Sequence, residues 1–295
     1  MIVIGMVLHM GLPRGYAQPE RSASPADSAA RSRPWVPPPG ALWQDVVGIV
    51  RGPFTLSPAG RWWVFGAAGV VVGLAATVDV PAYRHLSTRS RNDGLNTGRR
   101  TTASLSLPGQ WYDQTHANRL ALGTVGGLAV SGLVLRNRVL TRTSVQTLEA
   151  IVFTDLINGL VKSVLNRDRP YVGADPEPFA FDPGAFSGEH TKLAMPSGHT
   201  ARVFAIAAVL ADQAGRWYVS VPLYAGAASV GLERVRSGDH WVTDVLVGGA
   251  IGVLVGRSVT SGPIPGTDAD GATASASIRY RPILSPRRVG VAMRF

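Results

Sequence analysis

The chain has no cysteine. That absence excludes disulfides, thiolate metal sites and cysteine nucleophiles, and it is compatible with an oxidising compartment without demanding one. Lysine is nearly missing too: Lys162 and Lys192 are the only two in 295 residues, so arginine carries almost all of the net charge of +10. The arginines are scattered through tails and connectors, with no basic block interleaved by aromatics, which argues against a nucleic-acid partner. Long uncharged runs are scarce as well. A membrane span usually needs about 20 apolar residues, and most of the runs here are shorter. The mean hydropathy of +0.13 is on the apolar side for a soluble protein and low for a chain made mostly of spans.

What is present falls into four parts. Residues 1–18 hold an apolar segment, Ile2 to Leu12, followed by Tyr16-Ala17-Gln18, and read as a signal-like segment that lacks a basic n-region. Residues 19–41 are rich in Pro, Ser, Ala and Arg and read as an extended linker. Residues 42–258 alternate apolar stretches with polar connectors. Residues 259–295 begin as a Gly/Ala/Ser/Thr linker and end in a stretch where Val289, Val291, Met293 and Phe295 alternate with smaller or charged residues, the period of a strand.

The apolar stretches are Trp62–Val78, Leu120–Leu135, Val145–Leu165, His199–Ala211, Trp217–Leu232 and Trp241–Val255. Six helix candidates predict an all-α, six-helix bundle with a short β-hairpin-like tail. Gly66-x-x-Gly69, Gly123-x-x-Gly126-Gly127 and Gly248-Gly249 would allow close helix packing in lipid as in water. The uncharged runs favour a bundle embedded in a lipid bilayer; a soluble periplasmic domain is the alternative.

Chemistry gathers in three blocks. In KSVLNRDRPY, Lys162 and Arg169 are seven apart and share a face if the helix persists, giving two cations for an oxyanion. A solvated basic cap at a helix C-terminus is the simpler account. In AMPSGHTARVF, Ser197 is an N-cap candidate, Gly198 permits close backbone approach, and the first-turn N–H groups form an anion site beside His199. The alternative is a cap and an ordinary polar histidine. In ERVRSGDHWVTDV, His240 and Asp244 are four apart, so a carboxylate can hold one imidazole nitrogen and leave the other for attack or proton transfer. Arg234 precedes His240 across the bend. An ordinary helix salt bridge explains that pair but not the other two blocks.

The three blocks together resemble the signature of the type 2 phosphatidic acid phosphatase family, related to bacterial acid phosphatases and vanadium haloperoxidases. The pattern is Lys, six residues, Arg-Pro; then Pro-Ser-Gly-His; then Ser-Arg, five residues, His, three residues, Asp. The chain has Lys162 to Arg169-Pro170, Pro196-Ser197-Gly198-His199, and Arg234 to His240 to Asp244, with Glu233 where the pattern often has Ser. The resemblance covers about Trp62 to Val255. It implies a phosphatase acting without a metal or cofactor on a phosphomonoester or diphosphate, of a lipid or isoprenoid or of a smaller ester. His240 is then the nucleophile, Asp244 its orienting carboxylate, and His199 the proton donor. Lys162, Arg169, Arg234, Ser197 and the Gly198 N–H hold the phosphoryl oxygens. Vanadate-dependent halide oxidation is the second enzymatic reading; a non-catalytic helical envelope protein is the third.

The resemblance also implies a multi-pass protein of the bacterial cell envelope whose site faces the periplasm. Six spans then require the chain before Trp62 to lie inside, whereas a cleaved signal would put it outside.

Overall fold

The computed structural model describes residues 58–89, 102–172, 175–183, 190–261, 279–285 and 288–294. The signal-like segment, the linker and the first part of the expected domain, through residue 57, lie outside the described residues, as does the linker of the tail.

Helix α1 (Pro58–Leu74) continues through a five-residue π segment (Ala75–Asp79) into α2 (Val80–Leu86). A short α3 (Leu107–Gln114) precedes α4 (Ala117–Val134), α5 (Arg138–Leu165), α6 (Gly198–Ala214), α7 (Trp217–Arg236) and α8 (Val242–Thr260). The chain forms two compact units, one ending at Gly262 and the other spanning Pro263–Phe295.

The helical reading holds, but the expected fold is corrected on two points. First, the bundle is not six simple rods: the first rod contains the π segment, α5 starts seven residues before the apolar run, and α3, with too little apolar sequence to announce itself, is an added helix. Second, the expected fold ended in a short β-hairpin-like tail. The described residues of the helical unit contain no sheet, only an isolated bridge between Arg167 and Phe181. In the separate unit, β1 (Arg279–Ser285) and β2 (Arg288–Arg294) pair antiparallel with each other alone.

Local sequence sets the helix ends. Asn137 caps α5, its Oδ1 accepting from the N–H groups of Val139 and Leu140 at 2.9 and 3.2 Å. The same helix stops at Asn166, which takes the left-handed conformation at φ 48°. Asparagine tolerates that conformation better than most residues. Helix α6 ends in the same way at Gly215, φ 58°.

Helix α6 runs through the centre, with Ala201, Ala205, Ala208 and Val209 fully buried. It packs on α8 through small residues. A Cβ on Gly256 would lie 2.7 Å from the Ala205 carbonyl oxygen, and one on Gly252 would overlap that of Ala201. Such contact makes even one added methyl group disruptive. Not every expected small-residue contact forms: a Cβ added at Gly66, Gly69, Gly123 or Gly126 would meet nothing within 4 Å among the described residues. Those helices present their outer faces instead.

Among the described residues, three helices are long and apolar enough to cross a membrane: Phe65–Leu86, Ala117–Val134 and Val242–Thr260, with mean hydropathies of 1.6, 1.2 and 1.6. Helix α5 adds a line of exposed apolar side chains, Leu148, Val152, Leu156, Leu160 and Val164. Their spacing of four residues keeps them on one side of the helix.

Candidate active site

The chain direction of the long helices brings the chemistry to one end of the bundle. Lys162 and Arg234 lie in the last turns of α5 and α7; His199 and Asp244 lie in the first turns of α6 and α8. The N-termini of α6 and α8 therefore open at the same end of the bundle as these cations.

Main-chain hydrogen bonds join the three blocks. The Ala194 N–H donates to the Arg167 carbonyl at 3.0 Å, and the Ser197 N–H donates to the Asp244 carbonyl at 2.9 Å. A Cβ on Gly248 would sit 2.5 Å from the Ser197 oxygen, so only glycine lets α8 come this near the start of α6. At the third block, Gly238 turns the chain at φ +71°, and the Asp239 and His240 N–H groups both donate to the Arg234 carbonyl at 3.2 Å.

His240 is 3% exposed. Its Nδ1 lies 2.7 Å from the Ala194 carbonyl oxygen, a hydrogen bond in which the ring donates. That fixes the tautomer and leaves Nε2 as the unprotonated nitrogen. Burial, then the positive charges of Lys162, Arg234 and Arg169, push His240 well below the usual histidine range. The shift favours the neutral ring.

The expected direct clamp from Asp244 needs correction. Asp244 Oδ2 is 3.6 Å from His240 Nδ1, beyond a good hydrogen bond, and accepts instead from the Trp241 N–H at 2.8 Å. The carboxylate is near enough for charge stabilisation, while orientation comes from Ala194.

Lys162 and Arg169 converge, but not along one helix face. Helix α5 ends at Leu165, before Arg169 and well before Pro170. Lys162 Nζ donates to the Leu193 carbonyl at 2.7 Å. Arg169 is anchored by the His190 carbonyl at 2.9 Å and meets the His190 Nε2 at 3.2 Å. The Arg169 charge, then burial and Lys162, lower His190 from its ordinary value, so a neutral ring nitrogen accepts from the guanidinium.

Arg234 is held between Asp113 and Asp239, each at 2.5 Å. Its Nε is buried and has no hydrogen-bond partner among the described residues. Asp239 also pairs with Arg89 at 3.1 Å, lies 3.7 Å from Arg169 and accepts from Ser237 at 2.8 Å. Burial alone would raise the Asp239 carboxyl, but Arg234, the Ser237 hydroxyl, Arg89 and Arg169 outweigh it and leave the net shift downward. A carboxylate therefore sits on the cations expected to receive phosphate.

Ser197 occupies the N-cap position of α6 but does not cap it: its Oγ lies 3.0 Å from the Thr200 hydroxyl. Gly198 opens the helix, and His199 follows with its ring edge-on to Tyr112 at 6.3 Å between centres. Lys162 and Arg234 lie within electrostatic reach of both His199 and His240. Glu233, the departure from the pattern, pairs with Arg236 at 3.2 Å and leaves Arg234 to its two aspartates.

Sequence reading missed Asp113 and Asp239, the Ala194 carbonyl, and a buried group of Asp79, Arg167 and Thr243 behind Asp244. Arg167 was visible inside the first block, and Asp79 is the first charge beyond the run ending at Val78. Among the described residues, no three His, Cys, Asp or Glu side chains gather as a metal site.

Two histidines and three cations thus gather at one end of the helical bundle. The chain matches, over residues 144–263, the family model described as the PAP2 superfamily. It is similar to a lipid A 1-phosphatase of Porphyromonas gingivalis, 45% identical over 65 residues, covering 21% of this chain and 14% of that one. A lipid A 1-phosphatase of Rhizobium etli is 36% identical over 102 residues, covering 35% and 42%. The chain thus spans less than half the length of these curated relatives. Among solved structures, it aligns with Aquifex aeolicus LpxE at a TM-score of 0.39 and 20% identity, covering 62% of this chain and 95% of that one. A phosphatidylglycerolphosphate phosphatase of Bacillus subtilis aligns at 0.38 and 18%, covering 75% and 94%.

Proposed function

We propose that this protein is a phosphatase that hydrolyses a phosphomonoester or diphosphate of a lipid or isoprenoid through a phosphohistidine intermediate. The observation that carries the reading is the neutral His240 ring, committed through Nδ1 to Ala194 and faced by Lys162, Arg169 and Arg234.

In this reading the His240 Nε2 lone pair attacks phosphorus, the phosphorus–oxygen bond to the leaving group breaks, and His199 protonates the departing oxygen. The positive charge that develops on the phosphorylated ring lies beside Asp244. His199, now neutral, takes a proton from water, whose oxygen attacks phosphorus and releases inorganic phosphate and His240. Arg234 Nε, Lys162, Arg169, Ser197 and the Gly198 N–H hold the phosphoryl oxygens as their charge builds. These cations supply the electrostatic stabilisation that a metal ion supplies in other phosphatases.

The lipid part of the reading is supported by the activity named for the curated relatives, by three helices of spanning length and by the apolar line on α5. An outward-facing site is carried over from the family pattern. Because the chain lacks cysteine, a single introduced thiol reports topology cleanly. Asp175→Cys, at the site end, is expected to react with an impermeant maleimide in spheroplasts, and Arg216→Cys, at the other end, only after lysis; the reverse would refute this orientation.

Purified protein is to be assayed on p-nitrophenyl phosphate, on phosphatidic acid and on an isoprenyl diphosphate, with His240→Ala as control. Turnover of the lipid phosphates, lost in the variant, is expected. Bromide oxidation with vanadate and peroxide, without phosphatase turnover, would favour the haloperoxidase reading.

A further inference from the structure

Asp79 closes the π segment of the first rod and is 1% exposed, inside a stretch apolar enough to span a membrane. An ionisable side chain there is costly and is kept where it has a partner and a task. Its partner is Arg167, whose Nη2 donates to Asp79 Oδ2 at 2.8 Å. Thr243 adds its N–H to Oδ1 at 3.0 Å and its hydroxyl to Oδ2 at 2.5 Å.

Arg167 faces two ways. Its Nη1 lies 2.5 Å from Asp244 Oδ1 and 2.8 Å from the Thr243 hydroxyl, while Nε and Nη2 both donate to the Pro178 carbonyl, at 3.1 and 2.7 Å. The Trp241 and Phe181 rings flank the guanidinium, each with its centre 5.3 Å away. Both Asp244 oxygens are thereby fixed, Oδ1 by Arg167 and Oδ2 by the Trp241 N–H, with Oδ2 beside His240.

Stability alone is a poor reason for this group, because a buried ion cluster is often no more stabilising than packed apolar side chains. The π segment that ends on Asp79 is a second irregularity at the same point. A π turn takes an extra residue and so re-aims the side chains around it, and such segments recur at functional sites.

We propose that Asp79, Arg167 and Thr243 are positioning residues that hold the Asp244 carboxylate beside His240 for the developing imidazolium. The proposal rests on His240 being the nucleophile. None of the three touches substrate; they act through Asp244. Asp79 draws on the same guanidinium as Asp244, so its loss lets Arg167 swing fully to Asp244 and carry the carboxylate away from the ring. The first rod thus takes part in the chemistry although it contributes nothing to the three blocks.

The test compares Asp79→Asn and Thr243→Val with wild type and His240→Ala on p-nitrophenyl phosphate and on dioleoyl phosphatidic acid in detergent micelles. Each positioning variant is expected to lower kcat about 10- to 100-fold, the scale of an ångström misplacement. KM and inhibition by inorganic phosphate are expected to stay within about twofold, since ground-state binding is untouched. Should Asp79→Asn fail to fold, Thr243→Val, which keeps every charge, decides alone. A folded variant with wild-type kcat, or one whose loss lies in KM, overturns the proposal while leaving the nucleophile intact. Retained turnover in His240→Ala overturns both.

Discussion

The ring of His240 is held by a main-chain oxygen: Nδ1 donates to the Ala194 carbonyl at 2.7 Å, and Asp244 stands back at 3.6 Å. In the proposed mechanism, tautomer and charge stabilisation are therefore separate duties. Asp244→Asn is expected to keep the tautomer and lose only the charge, lowering kcat about 100-fold, less than the roughly 10⁴-fold loss seen where the carboxylate alone fixes the ring. A steady-state comparison checks this, and a loss near the larger figure would return the orienting role to Asp244.

Asp239 lies on Arg234, Arg89 and, at longer range, Arg169, where a phosphate would compete with it. Asp239→Asn removes the competing charge. Inhibition by inorganic phosphate is expected to tighten about 3- to 10-fold, at most about 1.4 kcal/mol. Weaker inhibition would mean that Asp239 serves chiefly to aim the arginines.

Gly248 is the point at which α8 meets the start of α6. A Cβ there would lie 2.5 Å from the Ser197 oxygen and 3.2 Å from its nitrogen, whereas one on Gly249 meets only the Phe204 ring at 3.4 Å. Gly248→Ala is expected to displace the Ser197–His199 turn and cut kcat about 100-fold, with Gly249→Ala within about twofold. Equal behaviour of the two variants would remove this contact from the account.

The pH dependence follows from His240. Its folded value is depressed well below 6.5, first by burial and then by Lys162, Arg234 and Arg169. In the proposed mechanism the neutral ring is the nucleophile, so the acid limb of kcat/KM due to His240 is expected below 6.5. For stability, the unfolded state binds the proton first as pH falls. The stabilisation tied to the neutral ring is fully present above 6.5 and is lost as pH drops from there toward the folded value. Thermal melts in detergent across that window read the slope, and His240→Gln is expected to flatten it.

The spacing of the three blocks was legible because each is local: a helix end, a helix start and a four-residue pair. What joins them was not. The Ala194 carbonyl carries no side-chain signal, Asp113 lies on a helix of eight residues with a Pro-Gly start, and Asp79 reaches Arg167 across 88 positions of chain. Asp244 was recognised as a partner of His240, yet its oxygens go first to Arg167 and Trp241, because a buried carboxylate takes the strongest available donors. The same holds for the helices. Periodicity located the apolar rods, but the π segment depends on where Asp79 must end, which only packing decides.

The central claim is that His240 carries the phosphoryl group. In the proposed mechanism, replacing His199 by Ala removes the base for the second step, while p-nitrophenyl phosphate needs no acid for the first because its leaving group is already weakly basic. Quenching His199→Ala at alkaline pH during turnover of that substrate, followed by peptide mapping by mass spectrometry, is expected to find phosphate on His240 and on no other residue. Its absence from His240 while turnover continues, or its presence on a different side chain, would contradict the account.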